Sequence, residues 1–274
     1  MIISLRPRQF KRIDSALSAL RARCFGLTYH GQGRTFPSIL INALPQSGST
    51  FIAKSLRRAL TAGPQPLMMH GFVSSGTIDP HALEIFAAGN RVSQQHLPAE
   101  PHIVAALAMK APRMVLNLRD PRAALVSRTH FIIRQKRENS PLQVLQAMES
   151  SFPADYFEWP FADQLAWQAE NHLPRVMRWI DRWLAIEADT SNGLDVLVTE
   201  YGELIQDTEA LLRRILDFYG ISEPGRTMAT TPKPGRWKFR AGSTEDWRTQ
   251  YKPETRASGT RLVPADGAAR FNWK

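Results

Sequence analysis

The chain has 274 residues, of which 43% are hydrophobic and 22% charged, a balance typical of a globular protein with one large domain or two small ones. Its single cysteine excludes an internal disulfide and a metal site built from cysteines. The formal net charge of +10 favours anionic partners such as nucleotides, sulfated or phosphorylated compounds, nucleic acid or an acidic membrane surface, without choosing among them.

No segment has the length and composition of a membrane span. The longest apolar run, near residues 103–109, is far shorter than a bilayer requires, and the N-terminus lacks the basic-then-apolar order of a signal peptide. The sequence also shows no internal repeat and no linker rich in proline, glycine or serine. We therefore predict a cytoplasmic protein with a single domain over residues 1–251, of which 1–30 are a helix and its lead-in.

Residues 8–24 have the pattern of an amphipathic basic helix. Apolar side chains recur at helical spacing, with arginine and lysine on the remaining positions. Docking of this helix onto its own domain is the preferred interpretation. Peripheral contact with a membrane is the alternative.

The remaining elements alternate between apolar runs and helical patterns. In chain order we predict a strand at 38–43, helices at 49–60 and 79–88, a strand at 113–118, helices at 122–137 and 162–184, a strand at 195–199, a helix at 209–219 that ends at Gly220, and a polar tail, extended or mobile, at 252–274. Strands separated by helices predict an α/β fold with a central parallel sheet flanked by helices. A ligand is then expected at the carboxyl ends of the strands.

The turn after the first strand has the composition of a phosphate-binding loop. Pro45, Gln46, Ser47, Gly48, Ser49 and Thr50 connect the strand directly to a helix. Small residues let the backbone surround an anion, and the helix N-terminus adds about half a positive charge. The alternative is a plain turn with a capping serine. An ATP-binding loop is disfavoured, because no lysine stands between the glycine and the hydroxyl residues.

A second stretch, LNLRDPRAALVSRTH at 116–130, places Arg119 at the end of a buried strand and Ser127 eight positions later. Together with the first loop it resembles the superfamily of sulfotransferases that use 3′-phosphoadenosine 5′-phosphosulfate (PAPS). The family's loop, often written PKSGTTW, holds the 5′-phosphosulfate, which implies that role for Gln46–Phe51. The resemblance implies that Arg119 and Ser127 hold the 3′-phosphate, a group for which a guanidinium is well suited.

Two later stretches are similar to the same family in the expected order. FRAGSTEDW, at 239–247, resembles the segment that folds over the cofactor and implies cofactor contacts for Arg240 and Gly242. VTEYGELIQDTEALLRRILDFYGI, at 198–221, resembles the family's strand and following helix, and implies a contact for Tyr201. Taken singly, Tyr201 could be a turn aromatic and Trp247 a core side chain.

The resemblance also points to a general base. SQQHLPAEP at 93–101 is similar to the family's Lys-Thr-His-Leu-Pro segment, which implies that His96 removes the proton of the acceptor. Without the family, His96 is one of seven histidines and has no special claim. The alternatives are His70, His102, His130 and the carboxylate Glu100.

Two positions depart from the family pattern. The loop lysine is Gln46 here, and the lysine two positions before the histidine is Gln94. Losing both removes positive charge from the place where negative charge develops. We expect another cation to substitute; the candidates are Lys54, Lys110, Arg122 and Lys238.

The resemblance thus implies a metal-independent transfer of a sulfuryl group from PAPS to a hydroxyl or amine on a small molecule or glycan. The nearest rival is a nucleotide or small-molecule kinase, which should carry the missing lysine and a magnesium-binding carboxylate. A non-catalytic protein that binds anions or nucleic acid is the third hypothesis, although we expect no nucleic acid because the basic residues are scattered. Five aromatic residues could line an acceptor pocket or belong to the core, which their helical spacing favours: Trp159, Phe161, Trp167, Trp179 and Trp183.

Overall fold

The computed structural model describes residues 35–68, 76–138, 152–222 and 247–273. Its strands are β1 Ile39–Ala43, β2 Gly63–Pro64, β3 Arg91–Gln95, β4 Arg113–Leu118 and β5 Asp195–Glu200. Its α-helices are α1 Ser49–Leu60, α2 Pro80–Ala87, α3 Pro101–Lys110, α4 Pro121–Arg137, α5 Phe161–Asn171, α6 Leu173–Ala188, α7 Tyr201–Gln206, α8 Thr208–Phe218, α9 Trp247–Gln250, α10 Pro253–Leu262 and α11 Ala265–Arg270.

The five strands form one parallel sheet in the order β2-β3-β1-β4-β5. This confirms the predicted α/β class and the central parallel sheet flanked by helices. Strand β3 was not predicted, because its sequence, RVSQQ, has only one apolar residue. It nevertheless pairs with the buried β1 over four positions, from Ile39 opposite Val92 to Asn42 opposite Gln95.

Alternating side chains of β1 supply the two cores, one on each face of the sheet. Ile39 and Ile41 pack with helices α1 and α8, whereas Leu40 packs on the opposite face with helices α2 to α6. All three side chains are fully buried. Burial on both faces explains why β1 is a continuous apolar run, since a strand between two helical layers has no solvent-facing side.

The long helix predicted at 162–184 is two helices in the structure. Helix α5 ends at Asn171, and α6 begins at Leu173 with Pro174 in its first turn. Proline lacks the N–H that a continuous helix would need at this point. Trp183 is fully buried, as the core interpretation predicted. None of the helices in the described ranges is long and apolar enough to cross a membrane.

The C-terminal residues correct a prediction. Residues 252–274 were expected to form an extended or mobile tail, but they contain helices α10 and α11, and Val263 and Trp273 are buried. The backbone carbonyl of Trp273 accepts a hydrogen bond of 3.0 Å from the guanidinium of Arg122. Residues 252–274 contain too few apolar side chains to show a helical period in the sequence. Their position in the structure depends on contacts with α4. The helix predicted at 8–24 lies outside the described residues.

Candidate active site

Four strands end at the same edge of the sheet, and the predicted site residues follow them there. β1 lies at the centre, with β3 on one side and β4 on the other. The chain therefore brings together the loop at 44–48, His96 after β3, Arg119 after β4 and Tyr201 after β5. Sequence separations of up to about 150 residues are bridged because parallel strands share one direction.

The loop after β1 has an unusual backbone conformation. Gln46 and Gly48 have left-handed φ angles of 69° and 80°. A Cβ atom on Gly48 would lie 2.6 Å from Cδ2 of Leu204 in α7, so a side chain has no space there. Gly48 is therefore required both by its conformation and by the close approach of the loop to α7.

The loop leads directly into the N-terminus of α1. Within the described part of the chain, no side chain caps this helix, and its first turn contains no acidic residue. Ser49 is buried, and Thr50 is half-buried beside it. This end of the helix dipole thus has no protein carboxylate in its first turn to balance its partial positive charge.

A buried amide fixes the position of the loop. Asn117 of β4 donates to the backbone carbonyl of Ser47 at 2.8 Å and to its hydroxyl at 2.7 Å. The Asn117 carbonyl oxygen accepts a hydrogen bond of 2.9 Å from the hydroxyl of Thr199 in β5. Sequence reasoning missed this residue. The available signal was a lone asparagine inside the apolar run RMVLNL, since a fully buried amide needs polar partners.

Arg119 connects three of the predicted cofactor residues. Its Nη1 donates to the backbone carbonyl of Gln46 at 2.9 Å and to Oγ of Ser127 at 3.1 Å. The guanidinium carbon lies 4.1 Å from the centre of the Tyr201 ring, a cation–π distance. The side chain is almost fully buried. Arg119 is therefore held between the loop, helix α4 and helix α7.

The carboxylate of Glu200 lies near Arg119. Glu200 caps α7 by accepting from the backbone N–H of Gly202, and its other oxygen accepts a hydrogen bond of 3.3 Å from the Trp273 indole. Burial raises the pKa of Glu200, and the hydrogen bonds from Gly202 and Trp273 oppose that rise more than the positive charge of Arg119 does. The C-terminal segment thus supports the same corner of the sheet as Arg119.

His96 follows β3 on the other side of β1. Its Nδ1 lies 2.6 Å from the backbone oxygen of Ala43, and its Nε2 lies 3.1 Å from the amide nitrogen of Gln94. The next residue, Leu97, is fixed on both sides. Its N–H donates to Oδ1 of Asn42 at 2.7 Å, and its carbonyl accepts from both indole N–H groups of α6, at 2.8 and 3.0 Å, those of Trp179 and Trp183.

The alternative bases are held differently. His102 is exposed, with Nε2 3.3 Å from the backbone oxygen of Gly76. His130 stacks on Phe161 at 4.3 Å between ring centres and lies 3.0 Å from Oε1 of Gln250. Glu100 forms an ion pair of 2.8 Å with Arg182.

Two of the candidate substitute cations are already paired. Lys110 contacts Glu84 at 2.8 Å, and Arg122 contacts Asp120 at 2.9 Å. Lys54 is exposed on α1. Four predicted residues lie outside the described ranges: His70, Lys238, Arg240 and Gly242. Within those ranges, no group of three or more histidine, cysteine, aspartate or glutamate side chains could hold a metal ion.

The parallel α/β sheet thus carries a glycine-containing loop before an uncapped helix, with a buried arginine after the neighbouring strand, an arrangement suited to an anionic ligand. The sequence model of the sulfotransferase domain matches residues 36–258. The chain therefore belongs to the sulfotransferase family, as the sequence motifs indicated.

One protein is similar to this chain in sequence and one solved structure is similar to it in fold. Cytosolic sulfotransferase 3 of Arabidopsis thaliana is 25% identical over 236 residues, which cover 79% of this chain and 72% of the relative. The crystal structure of mouse sulfotransferase SULT7A1 complexed with PAP superposes with a TM-score of 0.55 at 17% identity, covering 86% of this chain and 85% of the other. At that identity the superposition supports the fold.

Proposed function

We propose that this sulfotransferase uses PAPS as donor and transfers the sulfuryl group to a hydroxyl or amine acceptor, with His96 as the general base. The observation that carries the proposal is the contact of Arg119 with both Ser127 and the backbone of Gln46. This arrangement places a guanidinium and a hydroxyl together at the strand edge where the phosphate-type loop begins. It fits a ligand with a second phosphate in addition to the one at the loop.

The residues around Arg119 suit a nucleotide 3′-phosphate. A buried guanidinium forms strong hydrogen bonds to phosphate oxygens, and the neighbouring hydroxyl of Ser127 adds a donor. The Tyr201 ring covers one face of the guanidinium at 4.1 Å and holds its plane. These three side chains come from different elements and meet only in the folded chain.

The loop at 46–51 suits the phosphate that leaves. When bound, PAPS supplies the sulfuryl group and leaves as adenosine 3′,5′-bisphosphate (PAP), so negative charge grows at its 5′-phosphate. The N-terminus of α1 and the hydroxyls of Ser49 and Thr50 provide donors and partial positive charge in that region. Phe51, which replaces the tryptophan of the family motif, is half-buried in the first turn.

The bonds at His96 define its tautomer. A backbone carbonyl can only accept, so the contact of 2.6 Å with Ala43 requires the proton on Nδ1. Nε2 of the neutral ring then carries the lone pair that can take a proton from an acceptor. This is the orientation that a general base requires.

The acceptor is proposed as a small molecule or a glycan, and the cytoplasm as the location of the reaction, which agrees with the description of the plant relative as cytosolic. A kinase is less well supported. No lysine stands between Gly48 and the hydroxyl residues Ser49 and Thr50, where a kinase loop would carry it, and Asp120 is engaged in the ion pair with Arg122.

Calorimetric titration with PAP, adenosine 5′-phosphosulfate and ATP plus magnesium tests the proposal. We expect PAP to bind most tightly. Ser127→Ala should weaken the binding of PAP by roughly 10-fold or more, because a hydrogen bond to a charged group is worth about 1.5–3 kcal/mol. It should leave adenosine 5′-phosphosulfate unchanged, since that ligand has no 3′-phosphate.

Ser191→Ala is the matched control. Ser191 is an exposed residue whose hydroxyl bonds to Asp189. Tighter binding of ATP than of PAP would favour the kinase. An equal loss of affinity for PAP and for adenosine 5′-phosphosulfate in Ser127→Ala would contradict the assignment of Ser127 to the 3′-phosphate.

A further inference from the structure

We propose that Gln94 is a positioning residue for His96 that serves both protonation states of the imidazole. This inference rests on the proposed function of His96. It also accounts for a position at which the chain departs from the family pattern, since glutamine replaces a lysine there.

The resting arrangement follows from the hydrogen-bond roles. With its proton on Nδ1, directed at the Ala43 carbonyl, the neutral ring offers a lone pair at Nε2. The Gln94 side-chain nitrogen lies 3.1 Å from that atom and donates to it. Both ring nitrogens of His96 are therefore engaged, one by the end of β1 and one by β3.

Catalysis changes what Nε2 requires. Because Nε2 has one lone pair, the acceptor hydroxyl displaces the Gln94 N–H from it. The O–H bond then breaks and an Nε2–H bond forms, so both ring nitrogens become donors. A half-turn of the Gln94 amide then presents its oxygen to Nε2, and the Ala43 carbonyl continues to accept from Nδ1. A lysine could not do this, because its ammonium group only donates and repels an imidazolium.

The charged side chains described on the His96 segment lie at the far end of β3 or are already paired. Strand β1, which supplies the Ala43 carbonyl, contains no titratable side chain. On the His96 segment, Arg91 is at the opposite end of β3, and Glu100 is paired with Arg182 of α6. Helix α6 also bonds to this segment through two tryptophan indoles, which are neutral donors.

Four variants separate the roles of Gln94. Gln94→Met removes both donor and acceptor at similar size, Gln94→Lys keeps a donor, and Gln94→Glu keeps an acceptor. Gln95→Met is the matched control, because Gln95 is on the same strand and its amide bonds to Ser93 at 2.8 Å. The readouts are nitrogen NMR of ¹⁵N-labelled histidine with PAP bound, and the pH profile of kcat/KM with an acceptor found by a screen of phenols, alcohols and amines.

We expect Gln94→Met to lower kcat/KM by roughly 10-fold, the loss of one hydrogen bond to a charged group, and to shift the Nε2 resonance of His96. Gln94→Lys should move the acid limb of the pH profile to lower pH and Gln94→Glu to higher pH, because a cation disfavours and an anion favours the imidazolium. Gln95→Met should match the wild type in every readout.

The proposal is overturned if Gln94→Met matches the wild type in kcat/KM and in the Nε2 resonance, or if the lysine and glutamate variants share the wild-type acid limb while His96→Asn is inactive. Failure of the proposed base has a different signature. In that case His96→Asn would keep its turnover, and the Gln94 variants would shift the NMR signals of His96 without moving the pH profile.

Discussion

The two strands beside β1 end in regions of different chemical character. At the end of β4, Arg119 is nearly buried and contacts the loop, Ser127 and Tyr201, while Asn117 fixes Ser47. At the end of β3, His96 is half-buried and bonds to a backbone carbonyl and to the neutral amide of Gln94. Among the described site residues, the positively charged side chain, Arg119, thus lies on the β4 side.

Under the proposed function, this difference separates two tasks. Binding a phosphate calls for a guanidinium with fixed donors, the role proposed for Arg119 on the β4 side. Proton transfer calls for a group that can both gain and lose a proton, the role proposed for His96 on the β3 side. Changes on one side should therefore alter binding and changes on the other should alter turnover.

The largest expected effect comes from a substitution on the β3 side alone. His96→Asn should lower kcat by about 10²–10⁴-fold, the usual contribution of a general base, and leave the Kd of PAP unchanged. Steady-state kinetics and calorimetry on the same preparation measure both quantities. His102→Asn, on the exposed surface, is the control. Equal losses in the two variants would remove His96 from its proposed role.

A second substitution weakens the support of the β4 side. Trp273→Ala should lower the free energy of unfolding by about 3–5 kcal/mol, as for other buried aromatic residues, and should weaken PAP binding. Trp273→Phe keeps most of the ring and loses the bond from the indole to Glu200, so it should cost about 1 kcal/mol. Urea unfolding and PAP titration measure these changes. Wild-type stability of Trp273→Ala would show that the C-terminal segment does not anchor this side.

The smallest expected effect comes from adding a positive charge to the loop between the β3 and β4 sides. Gln46→Lys restores the lysine of the family motif, and we expect kcat to rise by about 10-fold or less, since a cation there stabilises the leaving phosphate. The φ angle of 69° is no obstacle, because lysine and glutamine have similar backbone preferences. Gln206→Lys, the same change on an exposed position of α7, should leave kcat unchanged. A lower kcat in Gln46→Lys would show that the loop does not need this cation.

Several elements could be predicted from the sequence because the signals were local. Strand β4 and helix α1 have the bounds that their apolar patterns predicted, and the motifs at 45–51 and 119–127 indicated the family that the comparison confirmed. The period of apolar residues is enough to predict a strand or helix where the environment of each residue is set by its own element. The roles assigned to individual site residues remain predictions.

Only the tertiary structure decided the remaining features. β3 has a polar sequence and is a strand because it pairs with β1. The C-terminal segment is held through Trp273, which bonds to Glu200 and Arg122, 73 and 151 positions away. The same holds for the buried amide of Asn117, which bonds to Ser47, and for the contact of His96 with the backbone oxygen of Ala43 at the end of β1. These features depend on which polar groups meet across the sheet, and a pattern along one segment contains no information about its distant partners.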